Sequence, residues 1–246
     1  MREFFACLFG AAAAAATVPA TAALIVSGDS SIAAQSVMSG AANQTFFRNI
    51  VEGATIVVQD SFSNSARTLN LVAFYNSNGF SASLLADSAQ VTTATLSNVD
   101  LFIAYTPEDF FDLTEISVLS SFLLGGKNVL FMGENLLIPI TNAAVNDALV
   151  GLGSAMRIVE DVIDPGFHTA QLLGVNQYSL NTTGFQYAAT SRVTGGTGIF
   201  STATGNQTFI AFESQFGAVS IPGTLSLASL ALVGVAVMRR MNAGVE

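Results

Sequence analysis

The sequence predicts an α/β fold: a doubly wound, mostly parallel sheet set between an apolar leader and an apolar tail. Three observations predict it. Residues 99–105 and 127–132 are short, nearly continuous apolar runs, the pattern of strands covered on both faces. Between them lies a stretch with apolar residues at helical spacing, closed by Gly125 and Gly126. Strand, helix and strand in that order make a βαβ unit, whose two strands run parallel. The same alternation of strand and helix occurs on both sides of the unit, which extends it into a doubly wound sheet.

The elements follow in order. Residues 24–28, Leu-Ile-Val-Ser-Gly, form a first strand that ends in turn residues. Residues 43–52 form a helix, because Phe46, Phe47, Ile50 and Val51 share one face; Gly53 ends it. Residues 55–58 are a buried strand, and the Ser/Asn-rich stretch 61–70 is a loop or a short helix start. Residues 69–75 and 81–85 read as strands separated by Asn76-Ser77-Asn78-Gly79, a strong turn signal. After the strand at 99–105, Glu108, Asp109, Asp112 and Glu115 suit the positive end of a helix dipole. Leu113, Ile116, Val118, Leu119, Phe122 and Leu123 then form a helical stripe. Residues 143–152 are the next helix. Beyond Gly166 the pattern turns β-rich, with strands expected at 177–180, 188–193, 199–201 and 208–212, some of them antiparallel.

Composition narrows the function. The segment 24–215 holds five basic residues against fifteen acidic ones. Nucleic acid is excluded as a partner, because phosphate binding draws on clustered Lys and Arg. The sole cysteine, Cys7, lies in the leader, so the body has no disulfide and no thiol nucleophile. The leader has a basic Arg2, an apolar block from Phe4 to Ala16, and small residues Ala20, Ala22 and Ala23. This is the layout of a secretory signal, with cleavage after Ala22 or Ala23. At the other end, Ala218 to Met238 is a run of 21 residues without a charge, closed by Arg239 and Arg240. About 20 apolar residues suffice to cross a bilayer as a helix, and a basic flank stays on the cytoplasmic side as a membrane stop. The organisation expected is a signal peptide over 1–23, an α/β domain over 24–215, and a tail over 216–246 with a transmembrane helix at 218–238.

The tail resembles the PEP-CTERM sorting tail of bacterial surface proteins, which a membrane protease of the exosortase class processes. Val219, Ser220, Ile221, Pro222, Gly223 and Thr224 occupy the motif. Val219, Pro222, Gly223 and Thr224 fit the family's Val-Pro-Glu-Pro-Gly-Thr form, while Ser220 and Ile221 replace its first Pro and its Glu. The resemblance implies export, anchoring in the inner membrane through the C-terminus, and sorting to the cell envelope, surface or extracellular matrix. The implied partners are an exosortase-type processing protease, membrane lipid and extracellular polysaccharide.

The body resembles the glutamine-amidotransferase-like group of flavodoxin-like domains. Asp100-Leu101-Phe102-Ile103, Gly125-Gly126, and the run Asn128-Val129-Leu130-Phe131-Met132-Gly133-Glu134-Asn135 carry the likeness. Leu172-Leu173-Gly174-Val175 and the late strand through Phe209-Ile210-Ala211-Phe212 extend it. Active members place a cysteine on the turn after the second strand. Here Gly133-Glu134-Asn135 fills that turn, so the family's catalytic residues do not carry over and the resemblance implies a non-catalytic relative with no cofactor.

The remaining chemistry is sparse. Glu134 and Asn135 are candidate ligand contacts, since ligands of open α/β sheets gather at the carboxyl ends of the strands. His168 is the only histidine, and no Gly-x-Ser-x-Gly elbow supplies a partner serine. The competing function is a secreted or membrane-anchored hydrolase using Glu134 or His168. The acidic sets at 108–115 and at Glu160, Asp161 and Asp164 lack the spacing of a calcium loop and read as solvated faces, so no metal is expected. Asn43-Gln44-Thr45, Asn181-Thr182-Thr183 and Asn206-Gln207-Thr208 are formal glycosylation sequons.

Overall fold

The computed structural model describes residues 22–60 and 65–214. The sorting motif Val219–Thr224, the stop Arg239 and Arg240, and Ala20 lie outside the described residues. Among those described, no helix is long and apolar enough to cross a membrane; the expected spanning segment, 218–238, is not among them.

The chain folds as β1 Leu24–Ser27, a short 3-10 turn at Ser31–Ala33, α1 Gln35–Met38, α2 Ala41–Asn49, β2 Thr55–Gln59 and α3 Ser65–Ser77. There follow β3 Ser81–Leu85, β4 Leu101–Tyr105, α4 Leu113–Leu124, β5 Asn128–Met132 and α5 Pro139–Gly151. Shorter strands complete it: β6 Arg157–Ile158, β7 His168–Thr169, β8 Gln171–Leu172, β9 Gln186–Tyr187, β10 Val193–Thr194, β11 Thr197–Ser201 and β12 Thr208–Glu213. Eight strands form one sheet in the order β3-β2-β4-β5-β1-β12-β11-β8. The first five are parallel to one another; β12, β11 and β8 join antiparallel. The parallel strands thus lie in the order β3-β2-β4-β5-β1.

Both faces of the sheet are covered. Ile25, Ile56, Ile103 and Leu130 point into one core with Phe46, Phe47 and Ile50 of the α2 segment and Leu71 and Tyr75 of α3. Their alternates Val26, Val57, Phe102, Val129 and Phe131 meet Leu119, Phe122 and Leu123 of α4 and Val145, Ala148 and Leu149 of α5. The period of two along each strand therefore feeds two separate hydrophobic layers. This is why β4 and β5 are buried at every residue. Strand β3 sits at the sheet edge and is mostly exposed. In the first layer Phe185 stacks on Phe200 with centroids 4.1 Å apart, and Tyr187 on Phe209 at 4.5 Å.

Several expectations are corrected. Residues 69–75 are not a strand but the middle of α3. The buried residues there are Thr68, Leu71 and Tyr75, while Leu69 is 55% exposed; that is helical spacing. Residues 177–180 are a turn, because Asn176 Oδ1 accepts from the amides of Tyr178 and Ser179 at 2.9 and 3.0 Å. The strand expected at 188–193 reduces to one bridge between Ile163 and Thr190 and the start of β10 at Val193. Helix α2 starts two residues before 43 and ends at Asn49; α5 starts at Pro139, a residue suited to a helix's first turn. Leu113 is 88% exposed and does not belong to the buried stripe of α4. Asn43 is fully buried and both its amide atoms bind the Gln186 backbone, which withdraws that sequon from modification in the folded protein.

Candidate functional site

The carboxyl ends of the parallel strands converge on a buried polar cluster. Strand β1 runs into Gly28-Asp29-Ser30, and β5 into Gly133-Glu134-Asn135. The two turns are clamped together by backbone: Gly133 N–H donates to Ser27 O at 2.8 Å, and Gly28 binds Phe209 O and Ser191 N–H, each at 2.8 Å. A side chain at Gly28 would fall on the Ser191 carbonyl, so this approach requires glycine. Asn142 of α5 holds the Glu134 backbone from both sides, accepting from its N–H at 3.0 Å and donating to its C=O at 2.7 Å.

Glu134, 5% exposed, is the centre of this cluster. The Ser30 hydroxyl donates to its Oε2. Asn135 donates to Oε1 from its backbone at 3.0 Å and its amide at 2.9 Å. Arg67 of α3 lies 3.7 Å from Oε2 and donates to Ser30 Oγ at 3.0 Å and Tyr105 OH at 3.4 Å. Tyr105 OH in turn donates to the Ser30 carbonyl at 3.0 Å; burial pushes its pKa up to about 12. Asn135 is also engaged: it donates to Ala189 O and accepts from Leu137 N–H. The two sequence-predicted contact residues thus stand at the strand ends as expected, with their polar atoms bound by protein groups. Sequence reasoning missed Ser30, Arg67 and Tyr105, which come from three separate elements. The one signal available was Arg67, a rare cation in an acidic chain.

Asp29 is fully buried beside this cluster. Its oxygens accept from Ser31 N–H and Ala188 N–H, each at 2.7 Å. Burial, with the nearby Glu134 charge adding to it, outweighs those bonds and lifts the Asp29 pKa to about 7. The folded state therefore holds a proton that the unfolded chain gives up near 3.8. A raised folded pKa means stability present at acid pH and lost as pH rises between those values. The slope for one proton is at most about 1.4 kcal/mol per pH unit. The melting midpoint of the native chain should fall more from pH 5.5 to 7.5 than that of Asp29→Asn, measured by thermal scans at both pH values. Equal pH responses in the two proteins would contradict the assignment.

His168 stands apart from Glu134. It lies in β7 opposite Tyr187, with its ring 5.7 Å from that ring and Nε2 3.3 Å from Pro165 O. No bond joins the two residues named for a hydrolase among the described contacts. The acidic sets are solvated only in part: Asp109, Asp112 and Glu160 are exposed, while other members are engaged by local structure. Asp112 caps α4 and Glu115 closes the capping box, with Glu115 only 8% exposed and also accepting from Val91 N–H at 2.8 Å. Asp161 pairs with Arg192 at 3.5 Å, and Asp164 accepts from Tyr187 OH at 2.5 Å. Local polar geometry consumes these carboxylates. Among the described residues no group of three or more His, Cys, Asp or Glu side chains is placed to hold a metal ion.

No family model and no curated protein matches the chain. Among solved structures, the N-terminal domain of mmIFT52 is similar, with a TM-score of 0.49 at 17% identity over 62% of this chain and 81% of that one.

Proposed function

We propose that the protein is exported, held in the inner membrane by a helix over residues 218–238, and sorted to the cell envelope or exopolysaccharide matrix. There its body acts as a non-catalytic structural or binding module, a flavodoxin-like domain of the glutamine-amidotransferase-like kind. The observation that carries this reading is the charge-free run from Ala218 to Met238 closed by Arg239 and Arg240. An exosortase-type protease acting at Val219–Thr224 is the processing partner, with lipid around the helix and polysaccharide as the surrounding matrix. The occupied carboxylate of Glu134 supports a body without hydrolytic machinery.

The fold adds a geometric consequence. Leu24 and Glu213 are cross-strand partners at the ends of β1 and β12. The leader and the tail therefore join the body at one place, the amino end of the parallel strands. An anchored body would turn the carboxyl ends of those strands away from the bilayer. The same geometry supports scission after Ala22 rather than after Ala23. Ala23 N–H donates to Asn128 Oδ1 at 2.8 Å, and Ala23 O accepts from Val129 N–H at 3.0 Å. Scission after Ala22 keeps both partners in the mature chain; scission after Ala23 orphans two buried groups. Intact mass measurement of the surface-released protein should give an N-terminus at Ala23 and a C-terminus within residues 219–224. A surface form extending from Met1 to Glu246 would overturn the proposal.

A further inference from the structure

Four asparagine side chains on helices repeat one device: the amide bonds both backbone groups of a single residue, as a neighbouring strand would. Asn43 holds Gln186 in this way, Asn142 holds Glu134, and Asn146 holds Ile158 with both bonds at 2.8 Å. These three join elements within the body. The fourth, Asn76 in the last turn of α3, is exposed and reaches a residue only 6 positions along the chain. It accepts from Ala82 N–H at 2.9 Å and donates to Ala82 O at 3.1 Å.

Ala82 lies on the outer edge of the main sheet. Strand β3 ends the parallel side and pairs with β2 alone among the described strands. Ser81 N–H donates to Ala54 O at 2.7 Å, and Leu85 O accepts from Asp60 N–H at 2.8 Å, so Ser81, Ser83 and Leu85 turn their backbone groups toward β2. Ala82 and Leu84 turn theirs outward, because successive residues of a ladder alternate. An outward row of donors and acceptors is a template for another strand, and charge, proline, a bulge or a cover normally blunts it. Residues 68–86 hold no charge and no proline, and the register of β3 on β2 runs without a bulge. Ser81, Ser83 and Leu84 are exposed. The acidic surface elsewhere keeps two copies of this chain apart; this stretch carries none of that repulsion. Short, uncharged, proline-free strands of this kind pair readily with their own copies.

We infer that the β3 edge is a pairing surface for a second copy of this chain, and that the Asn76 side chain keeps it shut by occupying Ala82 as a strand would. Two β3 edges meeting antiparallel about a two-fold axis place Ser83 opposite its counterpart and let Ala82 and Leu84 of each copy exchange bonds. The Asn76 amide stands on the first of those two positions in both copies. Its removal frees the whole outward row. The device is independent of the export reading, since it depends only on the folded body.

The test is disulfide trapping in the full-length chain in detergent, with Cys7→Ser so that the introduced thiol stands alone. Ser83→Cys, at an exposed position, reports the pairing: opposed residues of an antiparallel pair that share no hydrogen bond lie about 4.5 Å apart at Cα, within disulfide reach. After mild oxidation and non-reducing electrophoresis, Ser83→Cys alone should run as the monomer. Adding Asn76→Ala should make a cross-linked dimer of twice the mass the main product. Adding Leu84→Pro as well should return the monomer, because it removes an outward N–H at an edge position where proline is tolerated. A thermal scan of each variant checks that it is folded. A folded Asn76→Ala chain that gives no dimer, equal dimer with and without Asn76, or a dimer that survives Leu84→Pro would overturn the assignment. So would an Asn76→Ala chain that fails to fold, since the amide would then hold β3 itself rather than guard its edge.

Discussion

Deleting residues 218–246 should move the protein from the membrane fraction to the soluble exported fraction almost completely. The run 218–238 contributes Leu, Val, Ala and Ile without a charge, and each apolar residue at the centre of a spanning helix favours insertion by a few tenths of a kcal/mol. Summed over the 14 Ala, Val, Ile, Leu and Met residues of the run, the preference is for lipid, and no described helix replaces it. The body should remain folded after the deletion, because its last strand, β12, ends at Glu213 and is paired on both sides by β1 and β11. The measurement is fractionation followed by a thermal scan of the released protein. Retention in the membrane fraction would show that the tail is not the anchor. Replacing Arg239 and Arg240 alone is a weaker perturbation of the same element, since it alters the stop and leaves the apolar run.

Glu134→Ala should be the most damaging single substitution in the polar cluster. It strips the acceptor from the buried Ser30 hydroxyl and from two Asn135 donors, and leaves Arg67 facing a cavity. Arg67 is one-third exposed, so the loss comes mainly from the orphaned donors, and each buried polar group left unsatisfied costs about 1–3 kcal/mol. Part of this is returned, because Asp29 loses a negative neighbour, so a net loss of about 3 kcal/mol is expected. For a body of this size that is about 6–12 °C in the melting midpoint. Chemical or thermal unfolding of the variant measures it. A midpoint within a degree or two of the native value would remove Glu134 from its structural role. It would also reopen the hydrolase alternative, in which Glu134→Gln abolishes turnover of an ester or glycoside at unchanged stability.

The legibility of the fold varied with how far each element depends on distant partners. Strands β1, β2, β4 and β5 were readable because burial on both faces demands continuous apolar runs, and that demand is local. Helix α4 was readable for the same reason, with the Asp112 and Glu115 cap visible as an acidic start. Residues 69–75 misled because Leu, Val, Phe and Tyr suit a strand as well as a helix; the polar Thr68 packs inward and Leu69 outward only because α3 lies against the sheet. The turn at 177–180 misled because a single Asn176 side chain diverts the backbone, and that competes with any strand propensity. Glu134 was legible as a strand-end carboxylate. Its partners Ser30, Arg67 and Tyr105 were not, since their encounter requires β1, α3 and β4 to be brought side by side.

By itself the sequence determined the α/β class, the two-layered core, the acidic and thiol-free body, and the expectation of apolar address segments at both ends. These follow from composition and from periods of two and 3.6, which are set by neighbouring residues along the chain. Only the tertiary structure decided that β1 completes the parallel sheet beside β5 and also seeds its antiparallel extension through β12. It alone decided that Glu134 is tied by protein donors. The physical reason is that a carboxylate's role is fixed by what surrounds it in space, and for Glu134 those surroundings include Ser30 and Arg67, distant along the chain.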